Sequence, residues 1–75
     1  MAVVRKLERI TLDRNVPHTE VAGTYCIITE VGGQRLLQVD TYGSVDRQFP
    51  GKKSQSIRFS REAIAQLREI LDHEL

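Results

Sequence analysis

The dipeptide Gly32-Gly33 lies between two runs rich in strand-forming residues, 24–31 and 34–42, and it restricts the fold more than any other feature of the chain. Two glycines in that setting mark a two-residue hairpin turn, because glycine adopts the left-handed backbone such turns demand. A two-residue turn sets the register. Val31 then faces Gln34, Glu30 faces Arg35, Ile28 faces Leu37, Cys26 faces Val39 and Thr24 faces Thr41. Glu30 opposite Arg35 is a complementary cross-strand charge pair. In this register Cys26, Ile28, Leu37 and Val39 share one face, the expected core face. Tyr25, Ile27, Thr29, Leu36, Gln38, Asp40 and Tyr42 share the other, where tyrosines and aliphatics mix with hydrogen-bonding groups.

Residues 54–59 read as a further strand, in which Gln55, Ile57 and Phe59 alternate with Ser54, Ser56 and Arg58. Ile57 and Phe59 are expected on the core face, which sends Ser54, Ser56 and Arg58 to the tyrosine face; a bulge would invert that assignment. Ser60 suits a helix N-cap, and Glu62 suits the first turn beside the positive end of the helix dipole. From Arg61 to about His73 the spacing is helical, with Ile64, Leu67 and Leu71 in one stripe and Ala63 and Ile70 widening it. Upstream, residues 3–12 read as a strand in preference to a helix, which Leu7, Ile10 and the charges around them would also fit, and Pro17 closes that region because it holds Val16 extended. Strands followed by one helix give an α+β fold: a four-stranded antiparallel sheet with a C-terminal amphipathic helix, in one domain over residues 1–75.

A chain of 75 residues buries a modest fraction of its surface, and with one cysteine it has no internal disulfide to compensate. Association with another chain is therefore expected to supply stability. The start of the sequence has no long apolar run, so neither a signal peptide nor a membrane span is expected. The lone thiol Cys26, placed on the apolar face, reads as buried and inert, in keeping with a reducing cytoplasm. His18 and His73 are far apart and lack clustered partners, so no metal is expected. Asp40 reads as a hydrogen-bond partner of a loop amide or an arginine, and Asp46 as a turn residue. No nucleophile pairs with a base, and Gly51-Lys52-Lys53-Ser54 has neither the spacing nor the following helix of a phosphate-binding loop. No enzyme and no cofactor are expected.

The formal net charge is only +1, so any electrostatic argument is local. Arg47, Lys52, Lys53 and Arg58 gather on and beside the loop that contains Pro50 and Gly51. A solvated loop would carry the same lysines. Their company favours a ligand: Tyr25 and Tyr42 can stack bases, Gln38, Ser54 and Ser56 can hydrogen-bond, and the cations can hold phosphates. Pro50-Gly51-Lys52-Lys53, the strand 54–59, Ser60 and the helical stretch Ala63 to Leu71, with Asp40-Thr41-Tyr42 before them, resemble the last hairpin and helix of the PC4-like family of single-stranded-DNA-binding transcriptional coactivators. The chain is also similar to small bacterial proteins carrying L-Q-x-D-T-Y-G-S and P-G-K-x-S-Q-S-I. The resemblance covers about half the sequence. It implies a curved antiparallel sheet in the order ββββα, a homodimer through the C-terminal helix, and single-stranded DNA or RNA as partner. Tyr42, Arg47, Lys52, Lys53 and Arg58 are then the contacts. The alternative is a small protein-interaction adaptor or inhibitor using the same sheet face, with Ile27 and Leu36 at its centre.

Overall fold

The computed structural model describes residues 1–43 and 53–75. Its hairpin loop holds three residues, Val31, Gly32 and Gly33, and not two. The Gly33 N–H donates to the Glu30 carbonyl and the Glu30 N–H to the Gln34 carbonyl, each at 2.8 Å. Gly33 has φ 86°, the left-handed position that closes a three-residue loop. The strands β2 (Gly23–Thr29) and β3 (Arg35–Tyr42) therefore pair one residue away from the expected register. Thr29 faces Arg35, Ile28 faces Leu36, Ile27 faces Leu37, Cys26 faces Gln38, Tyr25 faces Val39 and Thr24 faces Asp40. Because strand side chains alternate, one residue of slip exchanges the faces of the whole strand. Tyr25 and Ile27 move to the side of Leu37 and Val39. Cys26, exposed and not buried, moves with Ile28 to the side of Gln38 and Asp40. The expected Glu30–Arg35 pair is also corrected: Glu30 meets the Arg5 guanidinium at 3.6 Å.

The strand β4 (Lys53–Phe59) pairs antiparallel with β3 and sets Ile57 and Phe59 on the side of Leu37 and Val39, as the period of two predicts. The expected core face is corrected: that side is half-buried, and the buried residues of β3 are Leu36, Gln38 and Asp40 on the other. Phe59 faces Leu37, Ile57 faces Val39, Arg58 faces Gln38 and Ser56 faces Asp40. A register shift between Thr41 and Tyr42 then sets Lys53 opposite Tyr42 and leaves Ser54 without a partner residue. That bulge corrects the placement of Ser54 beside Ser56, since the extra residue in β4 moves Lys53 into its place.

The first strand is shorter than expected. β1 is Ala2–Val4 and runs parallel to β4, so the sheet is mixed, in the order β1-β4-β3-β2. The fully antiparallel arrangement fails for a physical reason. Short hairpin loops force antiparallel neighbours, but residues 5–22 carry the chain from one edge of the sheet to the other and impose no direction on β1. Pairing of β1 stops where β4 turns into the helix: the Ser60 N–H donates to the Val4 carbonyl at 3.0 Å. Beyond it, Gln66 of the helix holds the Leu7 peptide from both sides, accepting from its N–H at 2.8 Å and donating to its carbonyl at 3.1 Å. An ion pair between Arg9 and Glu74 continues that contact along the helix.

The helix α1 (Arg61–Glu74) begins as expected, with Ser60 Oγ accepting the Ala63 N–H at 3.2 Å. Its apolar stripe is incompletely covered. Ala63 is sealed, Ile64, Leu67 and Ile70 are half-buried, and Leu71 is exposed. A hollow of about 410 Å³ separates Ile64, Ala65 and Arg68 from Ile27, Leu37 and Phe59 of the sheet. Leu36 and Ala63 are the only buried apolar residues among those described. The radius of gyration is 14.8 Å, whereas a compact chain of this length has about 11 Å. The accessible surface is 6914 Å², against about 4,700 Å² for a folded monomer of this mass.

Candidate nucleic-acid interface

One face of the sheet carries a connected row of polar side chains. Gln38 and Asp40 stand on the same side of β3 because they are two residues apart, and Arg58 and Ser56 stand opposite them on β4. The Arg58 Nε–H donates to Gln38 Oε1 at 2.8 Å. The Gln38 amide nitrogen donates in turn to both Asp40 oxygens, at 3.0 and 3.1 Å. Lys53, brought to this side by the bulge, places its ammonium 3.3 Å from Asp40 Oδ2. Both Gln38 and Asp40 are buried, and no buried side-chain polar atom among the described residues lacks a partner.

The chemistry of Asp40 follows from these neighbours. Hydrogen bonds from the Ser56 hydroxyl, then from the Gln38 amide, hold its carboxyl below the ordinary carboxylate range, and the Lys53 ammonium adds to them; desolvation works in the opposite direction and is overcome. A charged Asp40 fixes the orientation of Gln38, and through Gln38 that of Arg58. Beside this row lies a cleft of about 390 Å³. Gln38, Lys53, Ser56 and Arg58 line that cleft, with Met1 to Val3 along its rim.

Several expected site residues come together here: Gln38, Lys53, Ser56 and Arg58 share the cleft. Tyr42 belongs to the same face, half-buried, with its hydroxyl 2.9 Å from Thr24 Oγ1. Tyr25 does not join them. The three-residue loop turns it to the other side of the sheet, where it is 75% exposed. Ser54 is exposed at the bulge, and Arg47 and Lys52 lie outside the described residues, as does the Pro50-Gly51 turn. Asp40 bonds to Gln38, Ser56 and Lys53 in place of the expected loop amide or arginine. Thr24 is a site neighbour that the sequence reading missed. Its approach to Tyr42 depends on the same loop parity that displaced Tyr25.

No group of metal-ligating side chains occurs among the described residues, and no helix among them is long and apolar enough to cross a membrane. Comparison with protein-family models, curated proteins and solved structures finds no match.

Proposed function

We propose that the protein binds single-stranded DNA or RNA with little sequence preference, on the sheet face that carries Gln38, Tyr42, Lys53, Ser56 and Arg58. The observation that supports this reading most is the Arg58–Gln38–Asp40–Lys53 row. It spends a buried, charged carboxylate on holding two cations at the edge of an open cleft. Arg58 lines the cleft and Lys53 is half-exposed beside it, and both cations suit phosphate oxygens. Gln38 has both ends of its amide engaged within the row, so it acts as a support and not as a reader of base edges. That division favours backbone contact without sequence recognition. The resemblance to the PC4-like coactivators points the same way and adds a homodimer and a role in transcription or DNA metabolism.

The test is a fluorescence-anisotropy titration with single-stranded and duplex oligonucleotides at several salt concentrations. Log affinity for the single strand should fall linearly with log salt, and Arg58→Ala should reduce the slope by about 0.7 for each phosphate that the arginine neutralises. An affinity unchanged between low and high salt rules the mechanism out.

The adaptor reading rests on a different surface. Ile27 is displaced to the Leu37 and Val39 face, and Leu36 is buried, so neither stands at the centre of the polar face. Tyr25 and Ile27 are both exposed on the opposite face, which is the one that suits a protein.

A further inference from the structure

β2 is the outer strand of the sheet, and among the described residues no strand pairs with its outer edge. Natural edge strands are protected from pairing with other chains by lysines, prolines, bulges or shortness. Gly23–Thr29, with the sequence GTYCIIT, has seven residues and contains no charged residue and no proline. Its pairing with β3 is regular from Gly23 to Thr29, so no bulge twists the edge away. The residues whose backbone faces outward follow from the ladder. Glu30 bonds to Gln34 and Tyr42 bonds to Ala22, so the hydrogen-bonded pairs fall on the even-numbered residues of β2. Gly23, Tyr25, Ile27 and Thr29 therefore turn their N–H and C=O groups away from β3.

We infer that this edge pairs with the same edge of a second copy of the chain, antiparallel, about a twofold axis at Cys26. Only outward-facing residues can exchange bonds across such a pair, and a full overlap of the strand then sets Tyr25 against Ile27 of the copy and Gly23 against Thr29 of the copy. The register is self-complementary. Each tyrosine meets an isoleucine on the exposed apolar side, and Glu30 meets Ala22, so like charges never face each other. A twofold operation gives antiparallel pairing of a strand with itself, which is the closed, isologous arrangement. Pairing in this way forms a continuous eight-stranded sheet, with the two clefts of Lys53 and Arg58 on one side of it. The inference stands whether or not that side binds nucleic acid.

The axis carries its own probe. Cys26 and Cys26 of the copy fall in a non-hydrogen-bonded pair, where Cα atoms lie about 4.5 Å apart, inside the range a disulfide spans. Cys26 is exposed. The experiment combines solution mass with oxidation by diamide, which accepts the two hydrogens as two thiols become one disulfide. The reduced protein should have twice the 8.6 kDa chain mass, and diamide should convert it quantitatively to a reducible covalent dimer. Cys26→Ser should remain a dimer but not cross-link. Cys26→Lys, which sets two ammonium groups face to face, should have the mass of one chain with an unchanged circular-dichroism spectrum. Tyr25→Pro, which removes an outward N–H that β3 does not use, should also be monomeric. A wild-type mass of one chain overturns the inference. So does a dimer that fails to cross-link and persists in Cys26→Lys and Tyr25→Pro, a result that moves the interface to the helix or to the Leu37 face. Loss of oligonucleotide binding with the cross-link intact overturns the proposed function alone.

Discussion

Removing the Ser60 hydroxyl tests how the helix, the sheet and the N-terminal strand are joined. Ser60 is 1% exposed, and the Ala63 N–H that its Oγ accepts belongs to a residue with no exposure at all. At an ordinary helix start, Ser→Ala costs about 1 kcal/mol and Ser→Gly only a few tenths, because water reaches the freed N–H beside a glycine. Here water cannot enter easily, since the Ser60 backbone is bound to Val4 and its hydroxyl lies over the Arg5 carbonyl. Both substitutions then leave a buried donor unmatched, at about 1–3 kcal/mol. The total stability of a chain this size is about 4–11 kcal/mol, so either change removes a substantial share. Urea unfolding followed by circular dichroism, at one fixed protein concentration, reads the effect as a lower midpoint with an unchanged slope. A Ser60→Gly variant that loses only a few tenths of a kcal/mol would show that water does reach Ala63, and the sealed junction would be refuted.

Gly33→Ala, forced to hold φ 86°, should cost about 1–2 kcal/mol, whereas Gly32→Ala, with no atom within 4 Å of the added methyl, should be nearly neutral by the same urea assay. Because the carboxyl of Asp40 is depressed in the folded state, the stability it contributes is fully present above its unfolded value near pH 4 and is lost as pH falls through the lower folded value. Asp40→Asn should therefore flatten the acid limb of a stability–pH curve below about pH 4, and an unchanged limb would contradict the assigned network. Leu36→Ala should cost about 2–5 kcal/mol, since Leu36 is the largest apolar side chain buried among the described residues. Tyr42→Ala should weaken oligonucleotide binding by about 1–3 kcal/mol if its ring stacks on a base, as read by anisotropy.

What could be read from the sequence was what local residues decide. The helix was legible from the serine cap and the stripe of Ile64, Leu67 and Leu71, all within one continuous segment. The alignment of β3 with β4 was legible because Ile57 and Phe59 have the same period as Leu37 and Val39. The face of β2 was not. Gly32-Gly33 suits a two-residue loop and a three-residue loop alike, and the choice is made by whether Val31 belongs to the strand or to the turn. The parallel pairing of β1 was equally hidden, because it depends on Ser60 and Gln66 capturing Val4 and Leu7 from far along the chain. Within the site, the alternation placed Gln38, Asp40, Ser56 and Arg58 together correctly. Lys53 came to them through a bulge, and nothing in the spacing of Lys53-Ser54-Gln55 marks one.

The loop parity also separates two functional readings that had competed for one surface. With a two-residue turn, Tyr25, Ile27 and Leu36 would share a face with Gln38 and Asp40, and that mixture would fit a protein as well as a nucleic acid. The extra loop residue takes Tyr25 and Ile27 away, while Leu36 stays on the side of Gln38 but is buried. The remaining face has a hydrogen-bonded row that runs from Arg58 through Gln38 and Asp40 to Lys53. The opposite side and the adjoining edge of β2 hold uncharged, exposed strand residues. The proposed polyanion binding uses the first and the inferred chain association uses the second, and the three-residue loop is what puts them on separate surfaces.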